Sequence, residues 1–408
     1  MAFSIGIAKQ VAYKKETPGS WGVAAAAGPG GSAKFLRRVT STFNLEKESY
    51  ESSEIRTDYQ VADFRHGVRS ASGSLSAELS PGTYSDFVAS ALARNFAVGG
   101  TLAAVTYSVA VQGAGWRVTK SAPATSFIGL FYVGDVVRIT AAGGNVNNTG
   151  RNLLVTAVAA DSLDVVPLDR GTMTIEAAIA SATIAVPGKK TFAPITGHTD
   201  DSYTIEEFFS DIAQSEVYTG MKVGSASFAL PATGLVTCEF GFMGKDVTTG
   251  TSQYFTTPAA LSTSGIFASV NGLLLINGVA VALLTGLNIN INRNMQSATV
   301  VGSNSIAELF EGRIAVDGDF SAYFENGSLR DLFLNETEAS LVVTLSASNA
   351  KAAEFMSFTL PRIKINTNTK DDGETGIVAQ HSFTALLPPA TVTSFNQSTL
   401  VIQDSLAP

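Results

Sequence analysis

The side chains that could catalyse a reaction or bind a metal are few and scattered along this sequence. The histidines are His66, His198 and His381, and the single cysteine is Cys238. Zinc sites need several ligands at short spacing, as in HExxH or paired CxxC motifs, and the sequence has neither. One cysteine also excludes an intrachain disulfide. We therefore expect no metal, no cofactor and no disulfide framework.

Motifs for nucleophilic catalysis and phosphate binding are missing as well. The sequence has no GxSxG elbow, and the glycine-rich GPGGSAKF departs from the P-loop pattern because Phe35 follows its lysine. This stretch predicts a flexible arm. The acidic stretch Lys370–Glu374 lacks the spaced carboxylates of a calcium loop and is typical of a hairpin tip. We interpret His66 as a solvated turn residue and His381 as a sheet-face residue, so we expect no enzyme.

One long connection, ESYESSEIRTDYQVADFRHG, carries charges of both signs. Its candidate interface residues are Glu48, Glu51, Glu54, Arg56, Asp58, Asp63 and Arg65. The charges alone leave two interpretations open. The segment is either a solvated loop or an interface loop whose charges pair across subunits and set their register.

The composition favours a chain that is covered by copies of itself. Charged residues make up 15% of the 408 residues, whereas about a quarter is usual in soluble domains. The net charge of −8 argues against a protein that binds nucleic acid by neutralising phosphates. The first residues, MAFSIGIAKQ, lack the basic and apolar regions of a signal peptide, so we expect none.

The uncharged stretch between Asp246 and Arg293 contains an apolar run, GLLLINGVAVALL, that could be mistaken for a membrane span. Asn277-Gly278 interrupts this run, and this dipeptide is the strongest signal for a two-residue hairpin turn. The following LNININ alternates apolar and polar residues, which is the period of a strand. We therefore expect a hairpin and a strand, and no membrane anchor.

Most of the sequence is typical of short β-strands separated by Gly, Asn and Asp. The clearest helix is predicted in TYSDFVASALARNF, where Tyr84, Phe87 and Val88 share one face. Thr83 and Asp86 predict a capping box at its start.

An internal repeat relates the two halves of the chain at an offset of 245 residues. At this offset Gly73 aligns with Gly318. The predicted helix aligns with a second predicted helix, whose capping box is formed by Ser328 and Asp331. Upstream, STFNLEKES matches TGLNININR with a one-residue slip. Each half is therefore predicted to be a strand, a long connection, a strand and a capped helix.

The first copy carries an insertion whose centre reads as several short strands with Gly and Asn turns. We expect it to form a small β-barrel or sandwich. The predicted division is an N-terminal arm at 1–34, a first domain at 35–100 and 188–250, an inserted domain at 101–187, and a second domain at 251–408.

Three extended segments carry a family resemblance. TSTFNLEKESYESSEIRTDYQVADFRHGVRSASGSLSAELSPGTYSDFVASALAR resembles the tail tube proteins of long-tailed, non-contractile bacteriophages (siphophages), in which such a protein is the major tail protein. GMKVGSASFALPATGLVTCEFGFMGKD and FTLPRIKINTNTKDDGETGIVAQHSFTALL are similar to the same family. The resemblance implies a mainly β fold of two tandem tube β-sandwich domains, each with a short helix.

The resemblance also implies a structural function in the virion tail. Rings of the protein would stack into a conduit for genome delivery, and a long loop, here residues 46–66 and 291–311, would reach the adjacent ring. Since such rings commonly have six tube domains, a chain with two is expected to form a homotrimer. The implied partners are copies of the chain, a tape measure protein, and tail terminator and tip proteins. Synthesis is expected in the bacterial host cytoplasm.

Double-stranded DNA is expected to pass through the lumen without tight binding, because polar and acidic side chains offer phosphate no counter-ions. The candidate lumen-facing residues are Ser74, Ser76, Glu78, Asp319, Ser321 and Tyr323. The alternative that these faces simply meet solvent or a helix stays open.

Two other classes of protein remain as alternatives. A β-sandwich binding or adhesin module of a tail tip or cell surface would be a stable monomer with exposed aromatic patches. A hydrolase would need a catalytic constellation that the sequence does not contain.

Overall fold

A computed structural model of the chain describes residues 3–28, 33–280, 284–372, 374 and 376–408. The fold is mainly β, as predicted, and the helices of this described part are α1 (Ser85–Ala91) and α2 (Ser328–Leu334), with single 3-10 turns at Gly6–Ala8 and Ser269–Asn271. The strands are β1 (Lys9–Lys15), β2 (Lys34–Phe35), β3 (Thr40–Glu51), β4 (Phe64–Glu78), β5 (Ala97–Val98), β6 (Thr101–Gln112), β7 (Gly115–Ala122), β8 (Val136–Thr140), β9 (Asn152–Val158), β10 (Ser162–Pro167), β11 (Glu176–Ala185), β12 (Lys189–Phe192), β13 (Tyr203–Phe209), β14 (Gln214–Pro231), β15 (Thr237–Gly244), β16 (Asp246–Gly250), β17 (Gly272–Ile276), β18 (Val279–Ala280), β19 (Leu284–Asn292), β20 (Gln296–Ala298), β21 (Glu308–Phe310), β22 (Ala315–Tyr323), β23 (Ala339–Ser346), β24 (Phe355–Ile365), β25 (Thr369–Lys370), β26 (Val378–Ala385) and β27 (Val401–Asp404).

One continuous antiparallel sheet, here called the polar sheet, runs through most of the chain. Its strand order is β3–β4–β15–β14–β19–β22–β26–β24, and β25 prolongs the line of β24 along β26. The β14–β19 pairing, in which Phe228 lies opposite Ile289, joins the first half of the chain to the second.

Two smaller sheets pack behind the polar sheet. The first contains β16–β14–β13–β1–β2, and the second contains β18–β17–β23–β24–β27–β12–β5. Strands β14 and β24 take part in both layers. We call the β14-containing half the first sandwich and the β24-containing half the second sandwich. A single apolar core extends through both.

The N-terminal range predicted as an arm contains strand β1, which pairs along β13. Tyr13 of this strand is buried, with its ring centroid 4.7 Å from that of Phe87. Burial of this ring explains why the segment is held on the sandwich. Within the glycine-rich GPGGSAKF, residues 29–32 lie outside the described residues.

A closed antiparallel barrel, β10–β7–β6–β11–β8–β9, occupies residues within the predicted insertion. Its interior is filled by side chains such as Val105, Tyr107 and Leu153. Closure leaves no free strand edge in this unit.

Polar contacts fix the barrel on the second sandwich. Gln403 of β27 accepts a 2.8 Å hydrogen bond from the backbone N–H of Val136 and donates one of 3.1 Å to its carbonyl. Asp135 forms a buried ion pair with Lys190 at 3.0 Å. Burial raises the pKa of Asp135, which the ammonium of Lys190 opposes. Paired charges and satisfied backbone groups make this contact a specific one.

Both predicted helices exist, but the predicted capping boxes are wrong. Helix α1 begins at Ser85 with Tyr84 at its N-cap, and the Thr83 hydroxyl lies 2.7 Å from that of Ser80 instead. Asp86 accepts hydrogen bonds from Tyr13 and Lys34. Helix α2 likewise has Gly327 at its N-cap, and Ser328 is its first residue. In α1 the distant partners of Asp86 replace the predicted capping contact, whereas in α2 Asp331 accepts hydrogen bonds from the adjacent Arg330.

The Asn277-Gly278 turn is confirmed. Both residues have positive φ, 50° and 75°, and Ile276 pairs with Val279 across a two-residue loop. Residues 281–283 of the apolar run lie outside the described residues. Among the residues that the structure describes, no helix is long and apolar enough to cross a membrane.

The strand registers correct the upstream part of the predicted repeat. Gly73 lies opposite Phe43, and Gly318 lies opposite Ile289. Phe43 therefore corresponds to Ile289, whereas the sequence match places it on Leu287. A Cβ on Gly73 or Gly318 would lie 2.4 or 2.2 Å from a carbonyl oxygen of the neighbouring strand, so close backbone approach requires glycine at both positions.

Candidate functional site

The polar sheet separates two kinds of side chain by simple alternation. Leu75 and Ala77 of β4 are buried in the core, while Ser74 and Ser76 point to the opposite face. Strand β22 repeats the pattern with buried Phe320. All six predicted lumen residues lie on this polar face, where Asp319 and Tyr323 are exposed and the others half-buried.

Side-chain hydrogen bonds cross the polar face between neighbouring strands. They join Thr42 to Ser74 (3.1 Å), Thr40 to Ser76 (2.5 Å), Asn288 to Asp319 (3.0 Å), Asn290 to Asp317 (3.2 Å) and Thr285 to Ser321 (2.8 Å). These cross-strand pairs hold the polar side chains flat against the sheet and stabilise its register.

The polar face is acidic. Register places five carboxylates on it, those of Glu46, Glu78, Glu239, Asp317 and Asp319. None of the five forms an ion pair within the described part of the chain. The basic side chains Lys364 and Arg362 lie at one end, and each is paired with a glutamate, Glu336 or Glu338. The face therefore carries uncompensated negative charge.

The predicted interface residues lie on a long hairpin formed by β3 and β4, whose tip spans residues 52–63. Its charges pair locally: Arg56 lies 2.9 Å from Asp58, and Arg65 lies 2.9 Å from Asp63. The hydrogen bond from Arg56 lowers the pKa of Asp58. Glu48, Glu51 and Glu54 are exposed on the same hairpin.

The hairpin tip also exposes apolar side chains that the charge-based reasoning missed. Ile55, Tyr59 and Val61 are 103%, 98% and 66% exposed. Their signal in the sequence is an apolar residue every few positions between the charges. Several exposed apolar side chains in one loop make this tip a candidate contact surface.

The corresponding connection of the second half is folded down on the first sandwich. Its hairpin of β20 and β21 reaches β4, where the backbone of Arg69 bonds to Asn304 and Ile306 at 2.9 and 3.3 Å. The two connections of the repeat are therefore in different states, one packed and one free.

A charge cluster around two buried cations, Lys222 and Arg293, anchors this packed connection. Lys222 of β14 lies 2.7 Å from Asp200, and Arg293 pairs with Glu311 and donates a 3.0 Å hydrogen bond to the Ser90 carbonyl. Burial and the neighbouring Asp200 raise the pKa of Glu311 to about 7 against the opposing effect of Arg293 and Lys222. Burial lowers the pKa of Arg293.

The residues considered for catalysis do not come together. His66 is exposed, but it lies in strand β4 opposite Ser49 and not in a turn, with its ring 5.1 Å from that of Phe64. His381 is confirmed as a sheet-face residue: it lies in β26 opposite Phe320, on the buried face of the sheet, and burial lowers its pKa. Cys238 is buried, which raises the pKa of its thiol. Within the described ranges, no group of three or more His, Cys, Asp or Glu could hold a metal ion.

Comparison with known proteins agrees with the geometry. None of the curated proteins matches the chain. The sequence model of one family, described as phage tail tube protein, matches residues 6–385, which is nearly the whole chain. This chain therefore belongs to the phage tail tube protein family.

Proposed function

We propose that three copies of this chain close head to tail into a ring, and that the rings stack into the tube through which the phage genome leaves the virion. The family supports a structural role in the virion tail. In the proposed ring, each chain supplies two sandwiches, so three chains form a pseudo-sixfold arrangement.

The observation that supports this ring is the strand pairing between the two sandwiches of one chain. Strand β14 of the first sandwich pairs with β19 of the second, in the same way that neighbouring domains of a ring would pair. Within the described residues, β3 pairs only with β4, and β25 pairs only with β26. Free edges invite pairing with another chain, and head-to-tail closure removes both of them.

The hairpin tip is proposed to contact the adjacent ring. Its exposed Ile55, Tyr59 and Val61 offer apolar area, and the opposite charges of Arg56 and Asp58 offer specificity.

The polar face is proposed to line the lumen. Its uncompensated carboxylates would repel phosphate, and its hydrogen-bonded Ser, Thr and Asn side chains offer no cation to bind DNA. Tape measure, terminator and tip proteins are the proposed further partners, and the host cytoplasm is the proposed place of synthesis.

Electron microscopy and native mass spectrometry of the purified chain test the ring. We expect trimers, and stacked tubes at higher protein concentration. A stable monomer at all concentrations would favour a binding module and overturn the proposed assembly.

Charge reversal tests the lumen. Tubes of an Asp317→Lys, Asp319→Lys variant are expected to retain double-stranded DNA at low salt, whereas wild-type tubes and an Asp317→Asn, Asp319→Asn control release it. Equal DNA retention by all three would place the polar face elsewhere than in the lumen.

A further inference from the structure

We infer that Lys364 and Glu336 form the docking site for the hairpin of a second copy, whose β3 pairs with residues 367–372 in the register that β19 takes on β14. This inference rests on the proposed ring and specifies its interface at the level of residues.

The two sandwiches contain the same ion pair at corresponding places. Leu75 lies opposite Phe240, and Phe320 lies opposite His381. Because Leu75 and Phe320 are partners in the repeat, Phe240 corresponds to His381, and Met243 to Thr384.

Lys222 lies opposite Met243, and Lys364 lies opposite Thr384, so the two lysines correspond. Lys222 lies 2.7 Å from Asp200, and Lys364 lies 2.8 Å from Glu336.

The two ion pairs differ in what covers them. The packed connection of the second half covers Lys222 together with Trp21 of the N-terminal segment, and Glu308 and Glu311 lie at 3.8 and 4.0 Å from the lysine. The acids Asp200 and Glu336 are both largely exposed, at 57% and 77%, so the difference lies in the lysines: Lys222 is 2% exposed and Lys364 is 40% exposed. The second pair is therefore an uncovered counterpart of an interface that the chain already uses once.

The register proposed between β3 of one copy and residues 367–372 of the next follows from the β14–β19 pairing within the chain. Ser227 lies opposite both Asn290 and Glu239. Thr369 lies opposite Gln380, which corresponds to Glu239, so Thr369 takes the place of Ser227. Since Phe43 corresponds to Ile289, the next residue, Asn44, takes the place of Asn290. In the ring, Asn44 of one copy then lies opposite Thr369 of the next.

The incoming charges complement the uncovered pair. In this register Lys47 takes the place of Arg293, and at the repeat offset Asp63 takes the place of Glu308. A cation therefore approaches Glu336 and a carboxylate approaches Lys364. His66 replaces Glu311, so the cluster keeps its alternation of charge with one carboxylate fewer.

Engineered disulfides test the register. Directly opposite strand residues have Cβ atoms about 4.5–5.5 Å apart, within reach of a disulfide after small adjustment. Oxidised Asn44→Cys, Thr369→Cys chains are expected to form covalent dimers and trimers. The intrachain positive control is the variant Ser227→Cys, Asn290→Cys. The negative control is Asn44→Cys, Lys370→Cys, because its two thiols lie on opposite faces of the sheet and should not form a disulfide. The buried Cys238 gives little background.

Rings without crosslinks in the first variant would overturn this register and leave the proposed ring standing. A chain that forms no rings in any variant or in the wild type would overturn both.

Charge reversal provides an independent measurement on surface residues. Asp63→Lys and Lys364→Glu are each expected to raise the protein concentration for half-assembly about ten-fold, and the double variant to restore it. Glu354→Lys, at an acid just before β24 and at the end of that strand opposite Lys364, is the control. Double-variant assembly as weak as that of the single variants would overturn the docking site.

Discussion

The ring of Phe228 in the first sandwich packs against that of Phe358 in the second, with their centroids 5.0 Å apart. Both side chains are fully buried in the core that extends through the two sandwiches. Because this contact joins the two halves of the chain in one core, we expect them to unfold as one cooperative unit.

Phe228→Ala should therefore destabilise both sandwiches together. We expect a loss of about 3–5 kcal/mol in the free energy of unfolding, because the substitution leaves a cavity at a buried aromatic position. Calorimetry should show one transition at lower temperature. Phe64→Ala, on the exposed hairpin, should change the midpoint little. A normal midpoint for Phe228→Ala would show that the core adjusts without cost.

Glu16 holds the N-terminal segment on the first sandwich. Its carboxylate is buried and accepts hydrogen bonds from the backbone N–H of Gly220 (2.7 Å) and Gly22 (3.0 Å), and from the hydroxyls of Ser202 (2.6 Å) and Thr204 (3.0 Å). Glu16→Gln places an amide NH₂ group, itself a donor, next to these hydrogen-bond donors. We expect it to lower the free energy of unfolding, measured in urea, by about 2–4 kcal/mol. Faster proteolysis of the first 28 residues should accompany it. Unchanged stability would mean that the segment is held by its strand pairing alone.

Alanine substitutions at two glycines test how tightly the barrel packs on the second sandwich. Gly134 and Gly129 both have φ of +88°, but a Cβ on Gly134 would lie 1.9 Å from Thr359 Oγ1, whereas one on Gly129 meets nothing within 4 Å. Gly129→Ala should cost about 1–2 kcal/mol from backbone strain alone. Gly134→Ala should cost more, and hydrogen exchange should rise along β8 and β27. Equal costs for the two variants would contradict a tight contact.

The charge cluster around Lys222 and Arg293 should make stability depend on pH. Because burial and Asp200 raise the pKa of Glu311 to about 7, we expect the folded chain to hold this proton to a higher pH than the unfolded chain, which releases it near pH 4.5. This stabilisation is fully present below pH 4.5 and is lost as the pH rises through 7. Glu311→Gln should remove that slope, so its stability relative to wild type should rise from pH 5 to pH 8. Parallel stability curves in urea titrations would contradict the raised pKa.

Local patterns predicted much of the fold. Alternation in LNININ predicted strand β19, the helical spacing of Tyr84, Phe87 and Val88 predicted α1, and Asn277-Gly278 predicted a hairpin. Each of these signals depends on neighbouring residues and on backbone preferences, which the sequence contains directly. The same alternation placed the predicted lumen residues on one face of a strand.

Long-range pairing could not be predicted in this way. The hydroxyl of Thr83 fits a capping box, but α1 begins at Ser85 and Asp86 accepts a hydrogen bond from Tyr13, which lies 73 residues away in the chain. The sequence match aligned Phe43 with Leu287, two residues away from Ile289, its counterpart in the observed strand registers. An alternating strand shows the same polar pattern after a shift of two residues, so the pattern alone does not select the register.

The sequence by itself determined the β-rich fold class, the polar and apolar sides of individual strands, and the resemblance to the tail tube family, since these follow from local periodicity and extended similarity. Only the tertiary structure decided that β14 pairs with β19, that one long connection packs on Lys222 while the other is free, and that Lys364 is left uncovered. These features depend on which strand edges meet in space, and an alternating sequence leaves that choice to the packing of the whole chain.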